Sequence, residues 1–326
     1  MNSARFPTLL FGIFFLLLPC VMAQSSEMAT VRVVSIPGRP LPIVAAQEQG
    51  FFARRGITVS LNVMPNSAAL RNAIAGGTAD LGHAAVDNAV AIADAGVVIV
   101  TGGDESFNEL IAQPGTKSVE DLRGKVLIVD APDTAYALQL KKMLLVHGLH
   151  AGLDYQLKPM GTTPHRLELM RSEKNYTASM LSPPTSLLAK RDHFVSLGST
   201  RDALGPYQAL GAFVRQKWGK QNSGVLVRYL AGYIEGHRWL LDPAHKRQVI
   251  QLIMSEWKVP QDIAGETYSL MTGGWFQPDA KFDPAAFETV LKLRAEIEGD
   301  WGGHPPSAGK YYDPEFYNLA ISELKQ

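Results

Sequence analysis

Short apolar segments that alternate with helical segments are the feature that most constrains how this 326-residue chain folds. The segment "VRVVSIP" reads as a strand, 41–52 as a helix, 57–63 as a strand and 67–75 as a helix. The strand "ADLGHAA", a helix over 87–95 and the strand "VVIV" continue the same order. This alternation is typical of an α/β fold built on a largely parallel sheet.

A second stretch of the chain repeats this alternation. Its first strand, "VLIVD", is a continuous apolar run, which is the pattern of a parallel strand buried on both faces. Helices over 134–147, 164–172 and 184–191 then alternate with the strands "YQLKPM", "YTASML" and "HFVSLG". From Lys217 onward the sequence is mostly helical, with Asp-Pro dipeptides that suit helix starts. We therefore predict two α/β units and a helical last third.

The composition limits the classes of function that the chain can have. It contains 31 basic and 31 acidic residues, a formal net charge of zero, and no long run of Lys or Arg. This balance argues against a general binder of nucleic acid or of anionic membranes. A chain of this length buries roughly three quarters of its unfolded surface and tends to divide into two lobes. The single cysteine excludes disulfides within the chain.

Residues 1–23 have the pattern of an export signal. An arginine supplies the positive start, "LLFGIFFLLLP" is an apolar run shorter than a membrane span, and Val21-Met22-Ala23 has the small residues of a cleavage site. We therefore predict a signal peptide that is cleaved after Ala23, a linker over 24–30 and a periplasmic mature protein. The alternative is a lipid anchor at Cys20, for which the preceding proline is unfavourable.

Three segments together resemble a known protein family. They are "PLPIVAAQEQGFFARRGITVSL", "AALRNAIAGGTADLGHA" and "KSVEDLRGKVLIV", which occur in this order within residues 31–215. They are similar to segments of the periplasmic substrate-binding proteins of ABC importers for sulfonates, nitrate, taurine and thiamine-precursor pyrimidines. In such proteins the Gly-Phe-Phe corner of the first segment joins a helix to an alternating strand, and the third segment opens the second lobe.

The resemblance implies a type II periplasmic-binding-protein fold. In this fold, two α/β lobes of mostly parallel sheet flanked by helices are joined by two hinge crossings. Lobe I would comprise 31–112 and 211–326, lobe II would comprise 113–210, and the crossings would lie near 110–115 and 210–216. The segment "ELMRSEKNYTASML" departs from the Gly-x-Val-Asp-Ala turn of the family, which leaves the ligand class open on that side of the cleft.

The resemblance also implies a function. It implies a monomeric binding protein that captures a small polar or anionic ligand by hinge closure and then docks onto an ABC permease, with no cofactor, metal or catalytic group. A sulfonate or another small organic anion ranks first as the ligand, before a pyrimidine-type thiamine precursor and before nitrate or bicarbonate. The alternatives are an enzyme of related fold, such as the pyrimidine synthases of thiamine assembly, and a ligand sensor for a membrane receptor.

The candidate site residues follow from the rule that ligands bind outside the carboxyl ends of the strands in open parallel sheets. Four of the loops at these ends lead into a helix N-terminus, where free amides and partial positive charge attract anions. Arg39 adds a guanidinium that suits a sulfonate, carboxylate or phosphate group. The predicted ligand-binding residues are Arg39, Pro40, Leu41, Asn66, Ser67, His83, Asp87, Asp133, Thr134, Tyr136, Thr162, Thr163 and Pro183.

Several of these residues also have ordinary structural explanations. Ser67, Asp87 and Thr134 suit helix caps, because their side-chain oxygens can accept from free backbone amides. Arg39 also suits a solvated loop, and His83 suits a hydrogen-bonded core position. Acidic caps favour an amino group of a ligand over an anion, since they already occupy the helix amides.

Two further features have open roles. The aromatic pair Trp275-Phe276 suits core packing or an interlobe rim better than stacking on a ligand. Arg166, at a helix start, either reaches the ligand or faces solvent. No catalytic motif or phosphate loop occurs, which removes positive grounds for an enzyme without excluding one.

Overall fold

The computed structural model of the protein describes Met1, residues 28–36 and residues 38–325. The predicted signal peptide, its cleavage after Ala23 and the alternative anchor at Cys20 lie outside the described residues, apart from Met1. Among the helices of the described residues, none is both long enough and apolar enough to cross a lipid bilayer.

In this part of the chain, ten strands form two five-stranded sheets. The strands are β1 (Ala29–Ser35), β2 (Ile57–Val63), β3 (Leu81–Ala85), β4 (Val97–Thr101), β5 (Glu109–Ala112), β6 (Val126–Val129), β7 (Gln156–Pro159), β8 (Tyr176–Leu181), β9 (Val195–Ser199) and β10 (Leu210–Arg215). The first sheet has the order β2-β1-β3-β10-β4, and the second has the order β7-β6-β8-β5-β9.

Thirteen α-helices within the described residues flank these sheets. They are α1 (Leu41–Glu48), α2 (Ser67–Ala75), α3 (Asp87–Ala91), α4 (Ala135–Leu145), α5 (Thr163–Ser172), α6 (Thr185–Arg191), α7 (Thr200–Leu204), α8 (Gln216–Gln221), α9 (Ser223–Leu241), α10 (Lys246–Trp257), α11 (Gln261–Leu270), α12 (Pro284–Glu298) and α13 (Glu315–Glu323). As predicted, the last third of the chain is mostly helical.

Each sheet is parallel apart from one strand. β1 pairs in parallel with β2 and β3, whereas β10 runs antiparallel between β3 and β4. Likewise, β6 pairs in parallel with β7 and β8, whereas β5 runs antiparallel between β8 and β9. Two mostly parallel sheets with flanking helices confirm the predicted two-lobed α/β fold.

The chain passes between the two sheets twice. It leaves the first sheet after β4 and enters the second at β5, so the first crossing is residues 102–108. It returns between β9 and β10, through α7 and residues 205–209. Both crossings precede the expected positions, because β5 and β10 are paired inside the sheets instead of running between them. The lobe boundaries that we predicted stay a prediction.

The Gly-Phe-Phe corner of the first motif packs α1 against α9. Phe52 is buried, and its ring stacks on that of Tyr229 with a centroid distance of 5.1 Å. A Cβ atom at Gly232 would lie 2.7 Å from the Phe52 ring, so this close approach requires glycine. Gly56 ends the corner in the left-handed conformation, at a φ of 63°. The corner therefore fixes the position of α1, which begins at Leu41.

Helix α4, which packs on β8 of the second sheet, also contacts α12. Leu138 of α4 is buried in the same apolar cluster as Leu291 of α12. Lys141 of α4 forms an ion pair with Glu298 of α12 at 2.6 Å. The two halves of the fold are thus joined by this helix contact as well as by the two crossings.

Candidate functional site

Two neighbouring cavities lie between the two sheets, at the carboxyl ends of their strands. The larger has a volume of about 430 Å³ and the smaller a volume of about 330 Å³. The lining residues that they share come from both halves of the fold and are Ile36, Ala85, Ala135, Tyr136, Thr162, Thr163 and Leu210. The cavities are therefore parts of one cleft, at the position where parallel sheets bind their ligands.

Aromatic side chains form one wall of the larger cavity. Phe107, Trp257 and Phe276 surround Trp275, with ring centroids between 5.2 and 6.3 Å from that of Trp275. Trp275 and Phe276 are buried in an apolar cluster, as expected, and they also line the cavity. A wall of this kind suits an apolar or planar ligand.

Arg39, Pro40 and Leu41 line the larger cavity beside this wall. The Arg39 side chain is 47% exposed, and its Nη1 donates to both carboxylate oxygens of Glu256, at 2.9 and 3.1 Å. Glu256 lies in α10 and balances the charge of Arg39. This ion pair corrects the expectation that Arg39 offers a full positive charge to a ligand.

Three helices begin at the smaller cavity, namely α2, α4 and α5. Asn66 precedes α2, and its Oδ1 accepts from the amide of Ala69 at 2.9 Å. Thr134 precedes α4 and accepts from the amide of Ala137 at 3.5 Å. Thr162 precedes α5 and makes no side-chain cap hydrogen bond. Two of the helix starts thus have ordinary caps, and all three present their N-terminal ends to one space.

The predicted residues of these helix starts therefore come together in the structure. Asn66 and Ser67 line the smaller cavity from the first half of the fold, and Asp133 and Thr134 line it from the second half. Those that line both cavities are Tyr136, Thr162 and Thr163.

Arg166 is a buried cation in the wall of the smaller cavity. Its side chain is 0% exposed, so the alternative that it faces solvent is wrong. Its Nε donates to the Ser179 hydroxyl at 2.9 Å, and Nη1 and Nη2 donate to the carbonyls of Gly161 and Met180 at 2.5 and 2.9 Å. In the described part of the chain, all of its hydrogen-bond acceptors are neutral oxygens. Burial lowers the pKa of Arg166, and the nearby charge of Asp130 opposes that lowering.

An ion pair joins the two halves of the fold at the smaller cavity. Arg71 of α2 donates from Nη1 to Asp133 at 2.9 Å and from Nε to Asn88 at 2.9 Å. Burial raises the pKa of Asp133, but the hydrogen bond and the charge of Arg71 outweigh burial, so the net pKa is lowered. Arg71 and Asp133 balance each other, so Arg166 is the cation without a carboxylate in direct contact among the described residues that line this cavity.

Asp87 does not belong to the cleft, which corrects its place among the predicted site residues. Its side chain is buried and lines neither cavity. Nη1 of Arg294 donates to it at 2.7 Å, and burial raises the pKa of this carboxyl although Arg294 opposes the change. The local sequence does not show this pairing, because Arg294 lies in α12, far along the chain from Asp87.

His83 lines the larger cavity but is also held by core residues. Its Nε2 shares a 2.9 Å hydrogen bond with the Tyr229 hydroxyl, and its ring lies 4.6 Å from that of Tyr233. Burial, assisted by the charge of His237, lowers the pKa of His83 to about 3, so the imidazole is neutral at pH 7. The described residues contain no group of three or more metal-ligating side chains. Pro183 lines the same cavity.

Two polar residues of the larger cavity did not emerge from the sequence patterns. Asp104 lies in the first crossing, and the backbone amide of Leu210 donates to its Oδ1 at 2.8 Å. His237 lies in α9 and donates from Nε2 to the carbonyl of Gly103 at 3.0 Å. The strand-end rule, applied to β4, would have pointed to "GGDES" and so to Asp104. The largely apolar sequence of α9 gives no comparable indication that His237 lines a cavity.

Comparison with known proteins identifies the fold. A family model described as "NMT1/THI5 like" matches residues 40–181. A search of curated protein sequences finds no significant match. Among solved structures, the nitrate-binding protein NrtA from Synechocystis PCC 6803 has a TM-score of 0.72 at 14% identity, over 92% of this chain and 90% of that one.

Other solved structures give similar values. The aliphatic sulphonate-binding protein SsuA from Escherichia coli has a TM-score of 0.67 at 16% identity, over 90% of this chain and 99% of that one. A protein from Bordetella bronchiseptica RB50 has a TM-score of 0.78 at 18% identity, over 92% of this chain and 99% of that one. At such identities the likeness shows the fold. The chain thus has the two-lobed fold of the periplasmic solute-binding proteins, and residues 40–181 match the NMT1/THI5-like family.

Proposed function

We propose that this protein is an extracytoplasmic solute-binding protein of an ABC importer, which captures a small organic anion between its two lobes. The observation that carries the proposal is the smaller cavity, where Arg166 and three helix N-termini converge on a space that both halves of the fold line. A guanidinium and free helix amides are donors that proteins use for acid groups. The fold shared with nitrate- and sulfonate-binding proteins supports an anionic ligand, and the sulfonate-binding protein among them supports an organic one.

The two cavities differ in chemistry, which suggests a ligand with two parts. The acid group of the ligand would occupy the smaller cavity, beside Arg166. An apolar or planar body would extend into the larger cavity, against the wall formed by Phe107, Trp257, Trp275 and Phe276. A sulfonate or carboxylate on a ring or alkyl chain uses both cavities, whereas nitrate or bicarbonate fills only the smaller one. A pyrimidine-type precursor ranks second, because the aromatic wall suits it but Arg166 does not.

Capture would proceed by hinge closure. Contacts from the ligand to both lobes stabilise the closed form over the open one, and the two crossings, residues 102–108 and 205–209, are the segments that would bend. We propose that the closed form then docks as a monomer onto a permease in the cytoplasmic membrane. A signal peptide over residues 1–23 would bring the protein to the periplasm. No cofactor is part of this proposal.

The two alternatives differ from transport in the fate of the bound ligand and in the membrane partner. An enzyme of related fold would convert the bound compound, which mass spectrometry of the ligand after incubation detects. A sensor would bind a receptor in place of a permease, which identification of the membrane partner by cross-linking detects. The binding proteins among the structural neighbours favour transport over both alternatives.

A thermal-shift screen tests the ligand class. The chain from Gln24 onward is heated with benzenesulfonate, nitrate, bicarbonate or a 4-aminopyrimidine. A ligand at about 100 times its dissociation constant adds about 2.7 kcal/mol to the free energy of unfolding, which raises the melting temperature of a chain of this length by about 4 °C. We expect benzenesulfonate to give this shift and nitrate to give a smaller one.

The outcomes of the screen separate the ligand classes. A shift with the aminopyrimidine alone would contradict the organic-anion assignment and favour the heteroaromatic class. If a wide set of organic acids and heteroaromatics produced no shift, solute binding in this cleft would be wrong.

A further inference from the structure

Two buried polar side chains of the larger cavity lie at the first crossing. They are Asp104 of the crossing itself and His237 of α9, which contacts the carbonyl of the preceding residue, Gly103. Both line the larger cavity, and Asp104 is 3% exposed while His237 is 1% exposed. Buried polar groups normally form hydrogen bonds, so a buried donor or acceptor atom without a partner needs an explanation.

His237 has one such atom, the ring nitrogen Nδ1. Its Nε2 lies 3.0 Å from the Gly103 carbonyl, which only accepts, so Nε2 carries the proton. Burial lowers the pKa of His237 to about 4, so the ring is neutral at pH 7 and Nδ1 is a hydrogen-bond acceptor. This Nδ1 is buried and has no hydrogen-bond partner among the described residues. The rings of Phe276 and Tyr233 flank the imidazole, with centroids 5.0 and 5.9 Å from its own.

Asp104 is a second polar group at the same crossing. Its Oδ1 accepts from the amide of Leu210 at 2.8 Å, which holds the carboxyl at the start of β10. Burial raises the pKa of Asp104 to about 8, and the hydrogen bonds from Leu210 and Trp275 only partly oppose this, so the carboxyl is mostly protonated at pH 7. A further donor from a ligand would favour its ionised form, which only accepts. An ionised carboxyl has about four acceptor sites, of which the Leu210 amide and the Trp275 side chain occupy two.

We propose that Asp104 and His237 form a recognition subsite for an N–H donor of the ligand, such as an aromatic amine or a ring N–H. This inference rests on the proposed function and deepens it, because it specifies the end of the ligand body that lies away from the acid group. The ligand class is therefore an organic acid that carries an N–H donor on an apolar or planar body. The acid group lies near Arg166 and the donor lies at the first crossing.

A subsite of this kind discriminates strongly between ligands that are otherwise alike. When a ligand lacks the N–H donor, the buried Nδ1 of His237 stays desolvated and unpaired inside the complex, and the ionised form of Asp104 loses the donor that favours it. A site built to pair with a polar group of its substrate rejects analogues that lack the group far more strongly than an apolar pocket rejects one extra methyl group. The preference for the amino compound over its methyl counterpart is therefore the property to measure.

Calorimetric titration with matched sulfonates tests the subsite. The probes are 4-aminobenzenesulfonate against 4-methylbenzenesulfonate, and 6-amino-2-naphthalenesulfonate against 6-methyl-2-naphthalenesulfonate, so that two body lengths are compared. The natural sequence is expected to bind one or both amino probes at least about tenfold more tightly than the methyl counterpart. With Asp104→Asn, this ratio is expected to fall below about threefold, because an asparagine amide, unlike the Asp104 carboxyl, cannot ionise to accept from the donor of the ligand.

His237→Phe is the second variant, because it keeps a ring of similar shape and removes the Nδ1 acceptor. It is expected to reduce the same ratio, and measurable binding of a methyl probe shows that either variant is folded. If amino and methyl probes bind equally to the natural sequence, or if Asp104→Asn keeps the full preference, the subsite is wrong while the proposed function stands. If none of the four sulfonates binds, the organic-anion assignment fails, and the subsite inference fails with it.

Discussion

Replacing Asp87 with alanine is expected to lower the free energy of unfolding by about 3 kcal/mol, at the lower end of the range for broken buried ion pairs. The change leaves the Arg294 guanidinium, whose side chain is 10% exposed, without the carboxylate at 2.7 Å. Asp300 still contacts Arg294 at 2.9 Å, so the loss stays near this lower end. Urea unfolding followed by circular dichroism measures the change.

The matched control for this prediction is Asp300→Ala, which removes the other partner of Arg294. The Asp300 side chain is 34% exposed, so its removal is expected to cost below about 1 kcal/mol. The double variant Asp87→Leu with Arg294→Met should recover much of the loss, because it removes both buried charges. An Asp87→Ala variant of normal stability that fails to bind benzenesulfonate would return Asp87 to the binding site and contradict its structural role.

Replacing Arg166 with methionine is expected to weaken benzenesulfonate binding by at least about 30-fold. Removing one partner of a buried, hydrogen-bonded charge pair typically costs about 2–5 kcal/mol of binding free energy, and about 1.4 kcal/mol corresponds to tenfold in affinity. Arg166 meets this condition because its guanidinium is fully buried and its protein acceptors are neutral. Isothermal titration calorimetry measures the dissociation constants.

Arg39→Met is the control, since it makes the same change at an arginine of the larger cavity that Glu256 already balances. We expect this variant to weaken binding by less than about threefold, as is typical for exposed ion pairs. Arg166→Lys keeps a positive charge but lacks the planar guanidinium, so its loss of affinity should lie between those of the other two variants. Equal losses for Arg39→Met and Arg166→Met, or normal binding by Arg166→Met, would contradict the proposed position of the acid group.

The fold was accessible from the sequence because its signals are local. The continuous run "VLIVD" and the alternating strand 57–63 specify strands within a few residues, and the Gly-Phe-Phe corner is a short motif. The strand-end rule alone predicts that Asn66, Thr134 and Thr163 lie near one another, and all three line the smaller cavity. Short-range patterns and the geometry of parallel sheets are sufficient for that level of detail.

The charge balance of the cleft was not accessible, because it depends on contacts between distant parts of the chain. Arg39 meets Glu256 across 217 positions of sequence, and Asp87 meets Arg294 across 207. No local pattern shows that either residue is already paired. For Arg166, the position at a helix start is compatible with a side chain that reaches the ligand or one that faces solvent. Its burial in the structure excludes the second alternative.

A ligand held between the two lobes is expected to close them, and this closure can be followed as a distance across the cleft. The chain from Gln24 onward contains no cysteine, so spin labels attach only to cysteines introduced at Asn62 and Lys158. These exposed residues lie near the carboxyl ends of the edge strands β2 and β7, one in each sheet. Saturating benzenesulfonate is predicted to shorten and narrow the distance distribution between the labels. An unchanged distribution at a concentration that calorimetry shows to be saturating would contradict capture by hinge closure.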